Sequence, residues 1–453
     1  CPQFFLCNSP NTTRRPSKPF QSQADRKTLP ARFNACFLCD SAPALENCKT
    51  PLTEGKADKP PKAPKLDYKG REKHLQEISK FFRQHPSIGA YQNVLPAKIV
   101  QSKTYKNPEY VYLVNPQVAD DIAKYVFQSI QSKNHIVAES NPGLGLISQS
   151  LIKLGIRSVR LYELNPEFHE YLEKTFQSSQ SKFKHELFKK DFFSLWRYNF
   201  IDNGDQGQRV TDILKGLPKK SWTDGPVATV VGTMTRNIFL RYLVKSIVLQ
   251  REIATYGRVD LFLITYEKYW NIFNKPSQIS RGTQKAWGIL TNIFLEAELI
   301  KEYPREFFLP WEISSAKKRG VNKSDSRNMY LIKVTMKKEF SLHADHFVPF
   351  FCFAMNLYAK GSSSIIATCE KWVPGCGEYL LVPRLTHTSY FEDMNVFTQF
   401  KDLTTEQVFG VYREMQSHPN YQSSPFMDMI EQEWLKTETI ETTLYDAHSK
   451  AAQ

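Results

Sequence analysis

Cysteine is scarce in this chain, with eight residues among 453. So few thiols cannot form a disulfide framework for a chain of this length, which favours free cysteines in a reducing compartment. Cys36 and Cys39 have the spacing of metal ligands, but no second pair follows at the distance found in zinc ribbons. His343 and His346 likewise lack a third ligand that the sequence identifies. We therefore expect no metal site.

Long apolar runs are also missing. None approaches the roughly 20 residues of a membrane-spanning helix. The best run, residues 347–357, includes Pro349 and is predicted to begin a buried helix. We expect a soluble protein that does not contact a membrane. With 41% hydrophobic and 13% aromatic residues, most of the chain should fold around a substantial core in two or three domains.

Acidic residues are outnumbered: 46 Asp and Glu stand against 60 Lys and Arg, giving a formal charge of +14 and a pI near 9.2. Such an excess favours a polyanionic partner, above all nucleic acid. Many mitochondrial matrix and ribosome-associated proteins are also basic, so charge alone leaves the partner open. Residues 316–338 carry eight basic residues against Asp325. The candidate nucleic-acid contacts among them are Lys317, Lys318, Arg319, Lys323 and Arg327.

The amino-terminal region, residues 1–65, shows little hydrophobic periodicity. Its first 39 residues contain six Arg or Lys and one acid, Asp25, with many Ser, Thr, Asn and Gln. This composition predicts a mitochondrial transit peptide, which a linker rich in Pro and Lys follows. A disordered basic tail fits the same composition. The chain begins with Cys1 rather than Met, which leaves room for a true start upstream.

From about residue 105 the sequence alternates between strands and helices, which predicts a parallel sheet with right-handed crossovers. The predicted helices are 116–130, 146–154, 166–176 and 238–256. The predicted strands are 135–139, 158–163, 188–191, 227–231 and 259–265, with a late antiparallel strand at 329–338. The expected fold is a Rossmann-like α/β domain over residues 66–340.

Strand signals fade after residue 340. A capping-box pattern from Thr404 to Gln407 begins a predicted helix at 404–415, and residues 426–435 form a second amphipathic run. The end of the chain is acidic, with six acids between 428 and 446 against Lys436. Residues 341–453 are therefore predicted to be a smaller helical domain with an acidic tail.

A glycine loop follows the first strand of the alternating region. Gly143 and Gly145 allow close approach of a ligand to a helix N-terminus. Ser148 stands where a dinucleotide fingerprint has its third glycine, which disfavours a nicotinamide-dependent oxidoreductase. Glu163 ends the next strand, where it can accept hydrogen bonds from ribose hydroxyls, and Asp191 ends the third, near the place of an adenine amino group. This layout favours S-adenosylmethionine, although capping residues of any doubly wound fold would also fit.

A polar segment follows the buried strand at 227–231. It reads Gly232, Thr233, Met234, Thr235 and Arg236, and is predicted to be a loop. An α/β enzyme usually places reactive groups here, yet the segment contains no carboxylate, histidine, cysteine or aromatic ring. The sequence therefore leaves open whether this is an active site or the remnant of one.

Five motifs in order give the chain a family resemblance. They are YLVNPQVADDI, VAESNPGLGLISQSL, VRLYELNPEFHEYL, LFKKDFF and ATVVGTMTRN, within residues 105–340. Their succession resembles the ribosomal RNA adenine dimethyltransferase family, and within it the second paralogue group of the mitochondrial transcription factor B branch. The resemblance implies an S-adenosylmethionine methyltransferase fold with a smaller C-terminal helical domain.

The resemblance also implies a cofactor site that is partly eroded. Val111 and Leu113 fall where the family has a polar residue and leucine, and Asn141 takes the place of the first glycine. The family's other cofactor positions are retained as Glu139, Gly143, Gly145, Glu163 and Asp191. We expect weak or vestigial S-adenosylmethionine binding.

The catalytic loop departs further from the family pattern, which reads Asn-Leu/Ile-Pro-Tyr/Phe. There the asparagine accepts a hydrogen bond from the target adenine and the aromatic ring stacks on the flipped base. Thr233 replaces the asparagine and Arg236 replaces the ring. A threonine hydroxyl is shorter than an amide, and arginine is a mobile, charged platform. We expect little or no methyl transfer from these two degenerate catalytic positions.

The resemblance then implies a mitochondrial transcription initiation factor, a monomer of the matrix nucleoid. It would bind the mitochondrial RNA polymerase, melt promoters and hold the single-stranded non-template DNA strand, with Trp222, Tyr266 or Trp270 as stacking platforms. The alternative is an active S-adenosylmethionine-dependent dimethyltransferase that modifies mitochondrial small-subunit rRNA.

Overall fold

The computed structural model describes residues 110–130, 132–177, 183–275, 282–310, 328–359, 364–381 and 395–432, with several residues between 76 and 99. All of them belong to the compact unit Phe33–Gln453. The transit peptide and linker, the five basic candidates between 317 and 327, and most of the acidic tail lie outside the described residues. No helix in the described part of the chain is long and apolar enough to cross a membrane.

A mostly parallel sheet forms the centre of the molecule. The strands are β1 Tyr112–Leu113, β2 Ile136–Ser140, β3 Ser158–Tyr162, β4 Lys184–Phe188, β5 Ala228–Met234, β6 Val259–Thr265, β7 Leu295–Pro304, β8 Phe308–Leu309 and β9 Asn328–Met336. Seven of them share one sheet in the order β4-β3-β2-β5-β6-β9-β7. Neighbours from β4 to β6 are parallel, whereas β9 is antiparallel to β6 and β7. This confirms the predicted Rossmann-like α/β methyltransferase fold.

Helices connect and cover these strands. They are α1 Pro116–Ser129, α2 Leu146–Lys153, α3 Pro166–Gln177, α4 Leu195–Asp205, α5 Arg209–Leu214, α6 Ile238–Leu249, α7 Glu267–Asn274, α8 Gly282–Phe294, α9 Phe347–Ala359, α10 Ile365–Trp372, α11 Cys376–Leu381 and α12 Thr405–Ser417. In α1, the Asn115 side chain accepts a hydrogen bond from Val118 N, and Pro116 occupies the first turn. This is the expected chemistry of a helix start.

Different helices bury the two faces of the sheet. In β6, Leu261 and Leu263 join the apolar cluster that includes α6, α8 and α9, while Phe262 and Ile264 join the cluster that includes α1 and α2. Successive side chains of a strand alternate between faces. Because both faces are covered, the strand is a continuous apolar run, as is usual in parallel sheets.

Three elements differ from the sequence predictions. The strand predicted at 188–191 is Lys184–Phe188. The helix predicted over 238–256 ends at Leu249, because Gln250 and Glu252 adopt positive φ angles of 52° and 47°. A short 3-10 segment, Glu252–Thr255, then leads toward β6. Strand β7 was not predicted, because it lies at the edge of the sheet and its sequence LEAELIKEYP exposes charged side chains there.

Beyond residue 340 the described residues form helices and loops, apart from an isolated bridge between Ser364 and Gln399. The predicted capping box is confirmed, since Thr404 and Gln407 each accept a hydrogen bond from the other's backbone N–H. Aromatic rings of α9 contact α12, and the ring centroids of Phe350 and Tyr412 are 5.1 Å apart. These helices share an apolar cluster with the sheet, and a domain boundary at residue 341 stays a prediction.

The segment that precedes α1 is paired with a segment far along the chain. Tyr112 and Leu113 of β1 lie opposite Leu309 and Phe308 of β8 in an antiparallel pair. The next residue, Val114, donates its N–H to the Phe307 carbonyl at 2.9 Å. This short ribbon places β1 beside the glycine loop, where the candidate site lies.

Candidate nucleoside cleft and catalytic loop

The predicted cofactor acids lie at one edge of the sheet. Glu139 is the penultimate residue of β2, Glu163 follows β3, and Asp191 follows β4. Because these strands are parallel, their carboxyl ends meet at the same edge, which is where ligands bind in open α/β sheets. The described structure therefore brings together the three acids that the sequence analysis selected.

The two loop glycines have conformations and contacts that exclude a side chain. Gly143 has a φ of 57°, and a Cβ added there would lie 2.8 Å from a ring carbon of Tyr112. Gly145 has a φ of 65°, and its Cβ would lie 2.7 Å from Leu172. The loop is thus folded tightly against β1 and α3. Its close packing is the reason for glycine at both positions.

Glu139 is hydrogen-bonded to the first turn of α2, which follows the glycine loop. Its carboxylate accepts hydrogen bonds from the Ser148 backbone N–H at 3.0 Å and from the Ser148 hydroxyl. Burial raises the pKa of Glu139 to about 8. Ser148, which replaces the third glycine of a dinucleotide fingerprint, is therefore the partner of a buried acid. A contact of Glu139 with a cofactor stays a prediction.

Glu163 connects the glycine loop to the start of α3. One carboxylate oxygen accepts the Gly143 N–H at 3.0 Å, and the other accepts the Asn165 N–H at 2.8 Å. The residue has no exposed surface. Burial raises its pKa to about 7, against the lowering effect of these backbone donors.

Asp191 accepts hydrogen bonds from several groups around the cleft. The donors are Ser140 Oγ at 2.9 Å, Asn141 Nδ2 at 3.2 Å, Phe193 N at 3.0 Å and Ser194 Oγ at 2.6 Å. Burial raises the pKa of Asp191 above its ordinary value. The Asn141 backbone has a φ of 56°. Within the described structure its side-chain Oδ1 is buried without a hydrogen-bond partner, so it is an acceptor that a ligand donor could satisfy.

The loop predicted to begin at Gly232 begins later in the structure. Strand β5 continues through Thr233 and Met234, which pair with Ile264 and Thr265 of β6. Gly232 suggested a break in the sequence, but it is a strand residue whose added Cβ would lie 2.3 Å from the Ser140 carbonyl oxygen. Glycine in a strand can mark such close backbone approach.

The structure places the two predicted catalytic positions, Thr233 and Arg236, in different environments. The buried Thr233 hydroxyl donates a hydrogen bond to the Val111 carbonyl, which lies just before β1. Arg236 lies beyond the strand with its side chain exposed. Val111 and Leu113 are both buried, so their side chains contribute to the core. The sequence analysis did not identify the contact between Thr233 and Val111, because these residues are far apart in the chain.

The predicted stacking platforms are not confirmed. Tyr266 is buried in the apolar cluster that includes α1 and α2. Trp270 is half-buried against the cluster that includes α6, α8 and α9. Trp222 precedes β5 and donates its Nε1–H to the Lys337 carbonyl after β9, so it lies at the opposite edge of the sheet. Sequence alone could not show which edge each aromatic side chain occupies.

Two features at the cleft edge were not predicted. Tyr112 is buried against Gly143, and its ring centroid lies 4.7 Å from that of Phe168. Lys268 is exposed, with its Nζ 4.8 Å from the Tyr269 ring centroid. No group of three or more metal-ligating side chains is present among the residues that the structure describes.

Comparison with known proteins finds two similarities of sequence. Residues 103–317 match the family model described as ribosomal RNA adenine dimethylase. A curated relative, "Dimethyladenosine transferase 2, mitochondrial" of Drosophila melanogaster, is 26% identical over 391 residues, covering 78% of this chain and 85% of the relative. These matches support the ribosomal RNA adenine dimethylase family.

Two solved structures are also similar to the chain. The 23S rRNA methyltransferase ErmE is 13% identical and has a TM-score of 0.42, with coverage of 68% of this chain and 100% of ErmE. TYW2 of M. jannaschii, solved in complex with AdoMet, is 15% identical and has a TM-score of 0.25, with coverage of 49% and 75%.

Proposed function

We propose that this protein is a mitochondrial transcription initiation factor that arose from the rRNA adenine dimethylase family. It acts with the mitochondrial RNA polymerase in the matrix nucleoid, helps to melt promoter DNA and holds the non-template strand. The family match and the mitochondrial name of the relative support the coarser part of this proposal. The basic charge of +14 supports a nucleic-acid partner.

The hydrogen bond from Thr233 to Val111 is the observation that carries the proposal. Methylation of an adenine amino group requires an acceptor directed at that group and a surface on which the flipped base can stack. The Thr233 hydroxyl donates to a backbone carbonyl instead, inside the core. Arg236 supplies an exposed charge where the family has a ring. This arrangement supports binding of nucleic acid without efficient methyl transfer.

The cleft fits the adenosine part of S-adenosylmethionine by the type of its groups. Asn141 offers an unsatisfied buried acceptor, and Gly143 and Gly145 allow close approach of the backbone. Glu163 and Asp191 would receive the ribose hydroxyls and the adenine amino group. When bound, the cofactor supplies an electrophilic methyl group. We propose that any such binding is weak, since the acids already accept hydrogen bonds from the protein.

Cationic and aromatic groups beside the cleft would contact a single strand. Arg236 and Lys268 are exposed after β5 and β6, and Tyr269 lies next to Lys268. Such groups bind phosphates and stack on bases without reading sequence. We propose that they act with the basic residues 317–327, which lie outside the described part of the chain.

A second candidate function is dimethylation of mitochondrial small-subunit rRNA. Glu163, Asp191 and the glycine loop support it, because they meet at the strand ends, where the family resemblance predicts a cofactor. It predicts methyl transfer to a hairpin RNA that Glu163→Ala abolishes. The transcription proposal predicts promoter-dependent transcripts that Glu163→Ala leaves unchanged.

Run-off transcription with the cognate mitochondrial RNA polymerase tests the proposal. We expect transcripts from a closed promoter only when factor and polymerase are combined, and little need for the factor on a pre-melted template. Replacing Lys317, Lys318 and Arg319 with Ala should reduce the closed-promoter signal. The matched control removes Lys153, Arg157 and Lys184, three exposed basic residues toward the opposite edge of the sheet.

Two results would contradict the proposed function. An equal requirement for the factor on closed and pre-melted templates would show that melting is not its role. Repeated turnover to dimethyladenosine on a hairpin RNA by the purified protein, without stimulation of transcription, would favour the dimethyltransferase.

A further inference from the structure

Asn141 begins the glycine loop after β2, and two hydrogen bonds fix its position. Its backbone N–H donates to the Tyr162 carbonyl at the end of β3, at 2.9 Å. Its side-chain Nδ2 donates to Asp191 Oδ1 at 3.2 Å. The backbone φ of 56° lies in the left-handed region, which asparagine adopts more readily than most residues. Main chain and side chain therefore hold the amide beside Asp191.

Asp191 has little capacity left for a further donor. Its carboxylate accepts four hydrogen bonds, three at Oδ1 and one, from the Ser194 hydroxyl, at Oδ2. An ionised carboxylate offers about four acceptor positions. Because Asp191 is also buried, an amino group of a base that approached this carboxylate directly would have to displace one of the donors already present.

The side-chain carbonyl of Asn141 is an acceptor without a donor. Within the part of the chain that the structure describes, its Oδ1 is buried and has no hydrogen-bond partner. An acceptor that has lost its bonds to water costs free energy until a donor meets it. Rotating the amide would not remove this cost, because it would turn Oδ1 toward the Asp191 carboxylate and bring two acceptors together. Held in this way, the amide offers a ligand an acceptor and no donor.

We propose that Asn141 Oδ1 accepts the exocyclic amino group of the adenine in S-adenosylmethionine, and that Asp191 orients the amide for this contact. This inference rests on the proposed cofactor site and refines the part given there to Asp191. Glu163, which accepts the Gly143 and Asn165 N–H groups, keeps its part as the acceptor for ribose. Because the amide offers only an acceptor, the cleft selects a purine with an amino group over one with a carbonyl at the same ring position.

Ligand-observed NMR titration with S-adenosylhomocysteine and S-inosylhomocysteine tests the inference on the full chain. The first ligand has the amino group on its base, and the second has a carbonyl there. We expect the unmodified protein to bind the adenosyl ligand at least about tenfold more tightly, the factor that one hydrogen bond contributes. Asn141→Gly, which suits the left-handed backbone, should weaken adenosyl binding by a similar factor and remove most of the preference.

Gln250→Gly is the matched control. Gln250 also has a positive φ, of 52°, but it follows the C-terminal end of α6 and does not belong to the glycine loop. Both affinities of this variant should equal those of the unmodified protein. Thermal unfolding verifies that the two variants are folded.

Several results would overturn the inference. Equal affinity of the unmodified protein for the two ligands, or binding of neither, would show that the cleft does not recognise the amino group. Tighter adenosyl binding by Asn141→Gly, or an unchanged preference, would show that Asp191 receives the amino group itself. An equal loss in Gln250→Gly would assign the effect to glycine rather than to the amide. Run-off transcription by the unmodified protein measures a separate activity, so failure of the proposed function is distinguishable from failure of this inference.

Discussion

The Thr233 hydroxyl and the Val111 carbonyl form a buried hydrogen bond that joins the end of β5 to the start of β1. The family resemblance predicts that the first residue belongs to a catalytic motif and the second to a cofactor motif. In the folded protein the two residues are hydrogen-bonded to each other. Changes at one position therefore affect the other part of the cleft.

Thr233→Val tests this connection. Removing the buried donor should lower the free energy of unfolding by roughly 1 to 3 kcal/mol, because the Val111 carbonyl is left unsatisfied. It should also lower S-adenosylmethionine affinity, since β1, which packs on the glycine loop, is held less firmly. Thr265→Val is the matched control, because Thr265 is a buried strand threonine that donates to the Met234 carbonyl at 2.7 Å. A similar stability loss with no change in affinity is expected there, and equal affinity changes in the two variants would contradict the connection.

Glu139 should make stability depend on pH. Its folded-state pKa of about 8 is above the ordinary 4.5, so the fold favours the protonated acid. Its stabilising contribution is complete below about pH 4.5 and is lost as pH rises through about 8, with a slope of at most about 1.4 kcal/mol per pH unit. Glu139→Gln should reduce the dependence of the unfolding midpoint on pH across this range. Glu170→Gln, an exposed substitution on α3, should leave the slope in place.

Gly143→Ala should destabilise the protein by roughly 1 to 3 kcal/mol, measured by chemical denaturation. The new Cβ would contact the Tyr112 ring, and φ at this position is 57°. Gly204→Ala is the control, because a Cβ in that position of α4 meets no atom within 4 Å. That substitution should stabilise the helix by about 0.5 to 1 kcal/mol. Equal effects of the two substitutions would show that the loop is not tightly packed.

Arg236→Ala should weaken binding of single-stranded DNA without lowering the unfolding temperature, since the side chain is exposed. The slope of log affinity against log salt should decrease by about one, as expected for the loss of one phosphate contact. Fluorescence anisotropy over a salt series measures both quantities. Arg157→Ala, an exposed substitution before β3, is the control and should change neither.

Local sequence signals predicted much of the fold and part of the site. The apolar run of β6, the helix that begins at Pro116, and the capping box at Thr404 are determined by neighbouring residues, and each is confirmed. The strand alternation also placed Glu163 and Asp191 at one sheet edge. These features depend on short-range chemistry, which periodicity and spacing express directly.

The rest depends on contacts between distant segments. Gly232 suggests a loop in the sequence, but its close approach to Ser140 keeps it in a strand. The position of Trp222 at the opposite edge follows from its bond with Lys337. The position of Tyr112 beside the glycine loop depends on pairing between β1 and β8. No local pattern contains this information, because each partner is supplied by the folded topology.

The contact between Thr233 and Val111 also bears on how the proposed loss of methylation could be reversed. Replacing Thr233 with asparagine alone would remove the hydrogen bond to the Val111 carbonyl. Position 236 would still lack an aromatic ring on which a base could stack. The first step would therefore weaken the fold and gain no activity. Under the proposed function, regaining methylation would require coordinated changes at two or more sites, so its loss would behave as an evolutionary ratchet.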